Sequence, residues 1–394
     1  MLRRIDPWLL LVLGVSLVLC LCHLGWGLPN GNDSWAADGM GPLTVLNVGR
    51  RQLFGWSSGW FWFKYPFGFP LVLLVAYAPY LGYLVLTGQL SEPVATYPYG
   101  FTDPEAALYH LALIGRLVNV AFVVGTVALT YGIGRRLLGR RVGLLAAWFA
   151  ATAYPLVYYA HTSNQDAAYL FWLTLSLWAV VVATRPGLGA PLVPARWPLW
   201  ALGLAAGMSM ATKEQGFAFL LALPMILVVS GYRRAITPGG AWRRLYDATW
   251  NPGTRAGLAI AVLTWLVAGN AFLNPRGFLN RLSDLTGNPV PGLSSRVTPV
   301  EFSPFKGFAK ESAYVTDFVD VVSSTFGLPL FLVALAGLAY LLIRRRHATL
   351  CLLVPLAFYY YLSLRSHHVL TPVSYTHLRA HETKANLVCR LLLE

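Results

Sequence analysis

The fold class is predicted by the stretch RLVNVAFVVGTVALTYGIGRRLLGRRVGLLAAWFAATAYPLVYYAHTSNQDAAYLFW, residues 116–172. It contains most of one apolar run, 109–134, and the whole of a second, 142–160. Each run approaches or exceeds the roughly 20 residues that cross a bilayer as a helix. The connection between them is RRLLGRR (135–141), and short basic connections are typical of the cytoplasmic side of membrane proteins. The stretch therefore predicts membrane helices joined in the cytoplasm.

The rest of the chain has the same texture. Of its 394 residues, 56% are hydrophobic and only 12% are charged, whereas soluble domains carry about 25% charged residues. The net charge is +14, but the basic residues are concentrated in short connections, which argues against nucleic-acid binding. We predict an all-α multi-pass membrane protein, a transmembrane helix bundle. Its apolar runs are 7–27, 67–88, 109–134, 142–160, 167–184, 197–212, 216–231, 256–273, 322–343 and 348–364.

The charges of the connections predict which side of the membrane each one faces. Basic connections such as 135–141 are assigned to the cytoplasm, and the acid-bearing segment 89–108 is assigned to the outside. Successive connections alternate between the two sides, as these assignments require, only if the run 67–88 does not cross the membrane. Its Pro79 and Gly82 suit a broken or interfacial segment. The prediction is nine spanning helices in the inner (plasma) membrane with a cytoplasmic N-terminus.

Two segments predicted to be external, 28–66 and 274–321, are too long to be simple connectors. The first is a large loop that contains Asp33 and Asp38 in GNDSWAADGMGP. Asp33 lies between Asn32 and Ser34, a pattern typical of a turn or a helix cap. Asp38 is either a solvated loop carboxylate or a functional one, since the glycines after it allow a ligand close to the backbone. Both acids are candidates for the reactive carboxylate.

Further ionisable residues lie beside the apolar runs, and each has a structural alternative. Lys64 either binds a lipid phosphate or only extends its charged end from the membrane to the surface. Asp166 either caps a helix or belongs to a site, and His161 is an interfacial residue or a base. Lys213 and Glu214 form either a site or a plain turn, and as neighbours they do not share a helix face. The two arginine candidates, Arg116 and Arg365, lie near the ends of apolar runs.

The chain carries no metal-binding or nucleotide-binding motif, so we predict no metal site and no cofactor, although a divalent metal is not excluded. Cys20, Cys22 and Cys351 lie in apolar runs and have neither metal nor disulfide spacing. The end SYTHLRAHETKANLVCRLLLE breaks from the preceding texture and resembles a translated sequencing-adapter tail. We expect residues 1–372 to form a C-terminally truncated membrane domain and 373–394 to be an artefact.

Several stretches together resemble the lipid-linked-sugar glycosyltransferases of the GT-C superfamily. They are an external loop with SWAADG, the aromatic segment ending in KYPFGFP, the stretch 116–172 and the segment ATKEQGF (211–217). The branch they resemble is the dolichyl-phosphate-mannose protein mannosyltransferase family, which includes lipid A aminoarabinose transferases. This resemblance covers most of residues 1–372.

The resemblance implies a transferase that moves a sugar from a polyprenyl-phosphate donor to a hydroxyl acceptor, with inversion, on the external face. The acceptor is a protein, a lipid or a glycan. By position, Asp38 matches the catalytic carboxylate of the first loop, Lys64 the donor-phosphate residue and Asp166 the acid of the second external motif. The family often has Asp-Glu where this chain has Asp38-Gly39, so Asp33 stays open as the base.

The main alternative is a multi-pass transporter or flippase for a lipid or small solute, which would also use external acids and a basic residue. Transporters of this kind place charges at the membrane midplane or on paired broken helices. The charges here gather at one predicted face and no internal repeat is visible, which favours the transferase. The sequence leaves the sugar, the acceptor and the oligomeric state open.

Overall fold

The computed structural model describes residues 6–28, 39–54, 66–94, 96–184, 196–234, 240–286, 316, 319 and 327–365. Within these ranges the protein is helical, and its only strand-like pairing is an isolated bridge between Leu90 and Phe101. The described helices are α1 (Pro7–Leu21), α2 (Pro42–Gly49), α3 (Gly68–Leu86), α4 (Pro104–Leu138), α5 (Arg140–Thr152), α6 (Tyr154–Ala160), α7 (Gln165–Ala183), α8 (Arg196–Thr212), α9 (Gly216–Leu220), α10 (Ala222–Arg234), α11 (Ala241–Thr249), α12 (Pro252–Ala268), α13 (Pro275–Thr286), α14 (Leu328–Arg344) and α15 (Arg346–Arg365). A π-helical turn, Arg50–Phe54, continues α2. The all-α prediction is confirmed.

Three of the described helices, α3, α4 and α7, are long and apolar enough to cross a membrane. A fourth span is formed if α5 and α6, which meet at an angle of 55°, are counted together. Pro155 stands in the first turn of α6, where its ring and missing N–H prevent one continuous helix. Further apolar helices are shorter, namely Pro7–Leu21, Gly216–Tyr232, Pro252–Ala268 and Phe331–Arg344.

Of the two alternatives predicted for residues 67–88, a broken or an interfacial segment, the broken one is wrong, and the prediction that this segment does not span stays a prediction. α3 is one continuous helix that contains Pro79, and it is among the three helices long enough to span. Neighbouring helices tolerate and support a proline in membrane helices, and α3 packs against α4 through buried residues that include Tyr77 and Leu111. Because the nine-helix topology excluded this segment, the side on which each loop lies stays a prediction.

One end of the bundle is fastened by Asp6. Its carboxylate caps α1 by accepting from the Trp8 N–H (3.1 Å), and it receives two hydrogen bonds from Arg140, at 2.6 and 2.8 Å. The Tyr131 hydroxyl donates to the same carboxylate at 2.8 Å. The bonds from Arg140, and then those from Tyr131 and Trp8, hold the pKa of Asp6 well below its usual range. Gly139, with φ +104°, provides the backbone conformation that joins α4 to α5 here.

The packing of α8 against α12 depends on glycine. Gly203 and Gly207 lie four residues apart on α8. Gly203 faces Gly257 on α12 across the interface. A methyl group on Gly207 would lie 2.5 Å from the Ala261 carbonyl oxygen, and one on Gly257 would lie 2.6 Å from that of Leu199. Small residues spaced by four let membrane helices approach closely. The sequence contains this pattern as GLAAG, residues 203–207.

We predict that Gly203→Ala destabilises the protein by about 1–3 kcal/mol, the usual cost of overpacking. A methyl group there would collide with the Gly257 carbonyl, which belongs to rigid helix backbone. The measurement is an SDS unfolding titration in mixed micelles. Gly82→Ala on α3 is the matched control, since a methyl group there meets no atom within 4 Å. Equal stability of the two variants would contradict the proposed packing.

Candidate functional site

The site is built on the turn between α6 and α7, residues His161–Asn164. All four residues are buried. Asn119 on α4, itself 0% exposed, donates from Nδ2 to the carbonyl oxygens of Thr162 (2.8 Å) and Asn164 (2.7 Å). Carbonyl groups buried without a donor cost free energy, so this single amide makes an irregular turn tolerable inside the bundle.

The chain that follows α1 is bound to this turn and to α4. The two ring nitrogens of His161 lie 2.7 Å from the carbonyl oxygens of Val157 and Cys22, which fixes the imidazole between them. Arg116, which is buried, donates to the carbonyl oxygens of Leu24 at 2.5 Å and Trp26 at 2.9 Å. The start of the first loop is therefore held by the two side chains His161 and Arg116.

The other end of the same loop segment returns to the same turn. The backbone N–H of Met40 donates to the carbonyl oxygen of Ser163 at 3.1 Å. Asp33 and Asp38 belong to residues 29–38, which lie outside the described residues. The described chain on both sides of that segment is bonded at or next to the His161–Asn164 turn.

An ion pair stands directly after the turn. Asn164 caps α7 by accepting from the Asp166 N–H at 2.9 Å, so the capping role falls to Asn164 and the Asp166 carboxylate is left to pair with Lys213. The Lys213 Nζ lies 2.5 Å from Asp166 Oδ1 and 5.9 Å from the centre of the Tyr169 ring. Asp166 also lies in the first turn of α7, where the helix dipole favours a negative charge.

A second ion pair lies beside the first. Glu214 accepts from Arg281 on α13 through both carboxylate oxygens, at 2.5 and 2.8 Å. The neighbours Lys213 and Glu214 thus point to different partners, as expected for adjacent residues. Arg281 was not predicted as a site residue. The one indication in the sequence is that Arg281 is a basic residue in the segment 274–321, which is predicted to be external.

A small open-sided pocket of about 30 Å³ lies at the Glu214–Arg281 pair. Pro66 and Phe67, which follow Lys64 closely in the sequence, contribute to its wall. The lining residues are Gln52, Pro66, Phe67, Ala211, Glu214, Trp265, Gly269, Phe278, Arg281 and Leu282.

The remaining predicted site residues are not placed by the structure. Asp33, Asp38 and Lys64 lie outside the described residues, and Arg365 ends α15 with a side chain that is not described. Their roles stay predictions. Arg116 is placed on backbone carbonyls, so its predicted contact with a donor phosphate also stays a prediction. Among the described residues there is no group of three His, Cys, Asp or Glu side chains that would hold a metal ion.

The fold and the site together define a helical membrane protein with two ion pairs beside one buried turn. Residues 111–246 match the family model of the dolichyl-phosphate-mannose-protein mannosyltransferases. The resemblance predicted from the sequence is confirmed over this segment, which supports a membrane glycosyltransferase of the GT-C type. The segment contains Arg116, Asn119, the buried turn, Asp166, Lys213 and Glu214. No curated protein and no solved structure matches the chain.

We predict that Glu214→Gln and Arg281→Met each destabilise the protein by about 1.5–3 kcal/mol, the range for hydrogen bonds to charged groups. Each change leaves one partner of a half-buried pair without its counter-charge. The double variant should lose less than the sum of the two, because the second change removes an already unpaired group. An SDS unfolding titration of all four proteins measures the coupling, and strictly additive losses would refute it.

We expect Asn119→Leu to lower the free energy of unfolding by about 1–3 kcal/mol, because the Thr162 and Asn164 carbonyls lose their donor. The matched control is Thr126→Val on the same helix. The Thr126 hydroxyl is bonded only within α4, to the Phe122 carbonyl oxygen at 2.8 Å. The same titration compares the two variants, and an Asn119→Leu protein as stable as the control would show that the turn does not depend on Asn119.

Proposed function

We propose that the protein transfers a sugar from a polyprenyl-phosphate donor to a hydroxyl group of an acceptor, with inversion at the anomeric carbon. One observation carries the proposal. The described chain on both sides of the segment with Asp33 and Asp38 is bonded at the His161–Asn164 turn, beside the Asp166–Lys213 pair. The first loop and the second motif, which the resemblance treats as parts of one site, are thereby connected through described contacts.

The proposed base is Asp38, with Asp33 as the alternative. As the acceptor oxygen forms its bond to the anomeric carbon, the bond from that carbon to the phosphate oxygen breaks. The acceptor proton passes to the carboxylate, and the electron pair of the broken bond leaves with the lipid phosphate. A phosphate monoester is a good leaving group, so the step requires no general acid.

The proposed contact for the donor phosphate is Lys64. A leaving phosphate is stabilised best by a cation placed where its charge develops. Lys213 and Arg281 already bind Asp166 and Glu214, which offsets their charge. We therefore assign these pairs to shaping the site, together with His161, and keep Arg116 and Arg365 as secondary candidates for the phosphate.

We propose that the site lies on the external face of the inner membrane. The basic connection 135–141, which is expected in the cytoplasm, binds Asp6 at the start of α1. The His161–Asn164 turn binds Cys22, which follows the opposite end of α1. We also propose that the transfer needs no metal ion. Activity that survives EDTA supports this, and activity lost with EDTA and restored by Mg²⁺ or Mn²⁺ contradicts it.

The test is transfer of label from a tritiated mannosyl polyprenyl phosphate by the purified protein in nanodiscs, with a panel of hydroxyl acceptors. We predict that Asp38→Asn lowers the rate at least about 100-fold, as expected for the loss of a general base. Asp33→Asn is the matched control and should keep most of the activity.

Activity that survives in Asp38→Asn but is lost in Asp33→Asn would assign the base to Asp33. If the wild-type protein transfers no label to any acceptor but moves the labelled donor between leaflets, the transporter alternative replaces the transferase.

A further inference from the structure

The short helix α11 joins two apolar helices at one end of the bundle. The apolar helix Gly216–Tyr232 precedes it and α12 follows it, and α11 packs against α10. Helices of that composition lie in the membrane, so a polar connection between two of them lies at the level of the membrane surface. The neighbouring helices therefore bring α11 to the membrane surface.

α11 presents a stripe of aromatic side chains. Trp242 and Tyr246 are four residues apart on α11, which places them on one side of the helix, and Trp250 directly follows its last residue. They are 83%, 60% and 47% exposed. A stripe of large exposed aromatics usually contacts a partner, and Trp and Tyr are the residues that accumulate where a membrane meets water.

The charge of the same segment identifies the partner. Residues 231–255 contain five arginines and one aspartate, and the described side chains of Arg243 and Arg255 are exposed. Arginines beside an aromatic stripe are attracted to a surface of anionic phospholipid headgroups. Helices with an aromatic face and a basic face lie in the interface rather than across the membrane.

We propose that α11 lies flat in the headgroup layer of the membrane that holds the protein. Trp242, Tyr246 and Trp250 insert among the headgroups, and Arg243 and Arg255 bind the phosphates of anionic lipids. The inference does not depend on the reaction that the protein catalyses.

The test uses nitroxide labels on single cysteines in the full chain, after replacement of Cys20, Cys22, Cys351 and Cys389. Labels at Trp242→Cys and Tyr246→Cys are compared in vesicles of phosphatidylcholine with and without phosphatidylglycerol. Collision rates with O₂ and with a water-soluble nickel chelate report the depth of each label. Val262→Cys on α12 and Glu92→Cys in the loop before α4, both exposed in the structure, are the membrane and water controls.

The two α11 labels should lie about 5–10 Å below the phosphates, the depth typical of interfacial helices. Both should move toward water when phosphatidylglycerol is omitted or when Arg243→Glu is added, whereas Arg141→Glu in another connection should leave them unchanged. α11 labels as accessible to the nickel chelate as Glu92→Cys would overturn the proposal. Labels shielded from both reagents would indicate a protein contact and overturn it too. If the depth of the two α11 labels is the same without phosphatidylglycerol and with Arg243→Glu, the proposed contact with anionic lipid is overturned.

Discussion

The hydrogen bonds from Asn119 to the His161–Asn164 turn are the interactions on which the rest of the candidate site depends. A turn that interrupts two helices inside a bundle leaves backbone carbonyls without intrahelical partners. In an apolar surrounding each such group is costly unless it receives a hydrogen bond. The Asn119 amide on the neighbouring helix α4 supplies the donors, which holds the backbone of the turn in place.

The charges beside this turn are arranged as matched pairs. Asp166 binds Lys213, and Glu214 binds Arg281, with all four side chains between about a sixth and a third exposed. Half-buried charges lose hydration, which opposite charges at hydrogen-bond distance recover in part. The pairs also connect three elements, α7, the turn after α8, and α13. A charged site can therefore sit at the end of an apolar bundle without strong local repulsion.

Sequence reasoning gave the helical membrane class and the positions of the apolar runs, because hydrophobicity over about 20 residues is a local property. Pro79 suggested a break in residues 67–88, whereas α3 is continuous and packs against α4. Sequence reasoning also missed Asn119 and Arg281. Their partners lie 40 residues or more away in the chain, at Thr162, Asn164 and Glu214, and no local pattern records such a contact.

The described chain on each side of residues 29–38 is fastened to the bundle by backbone hydrogen bonds and by buried side chains. At the start of the first loop the backbone carbonyls of Cys22, Leu24 and Trp26 accept hydrogen bonds, and the Leu24 side chain is buried in a core cluster with Val120 and Ala160. After residues 29–38 the Met40 N–H donates to the turn, and the Met40 side chain is also buried. The side chains that bind the start, Arg116 and His161, and the Ser163 carbonyl that binds the return all lie within residues 111–246, the segment that matches the mannosyltransferase family model. The first loop is therefore held on both sides of residues 29–38 by hydrogen bonds to the segment that matches the family model.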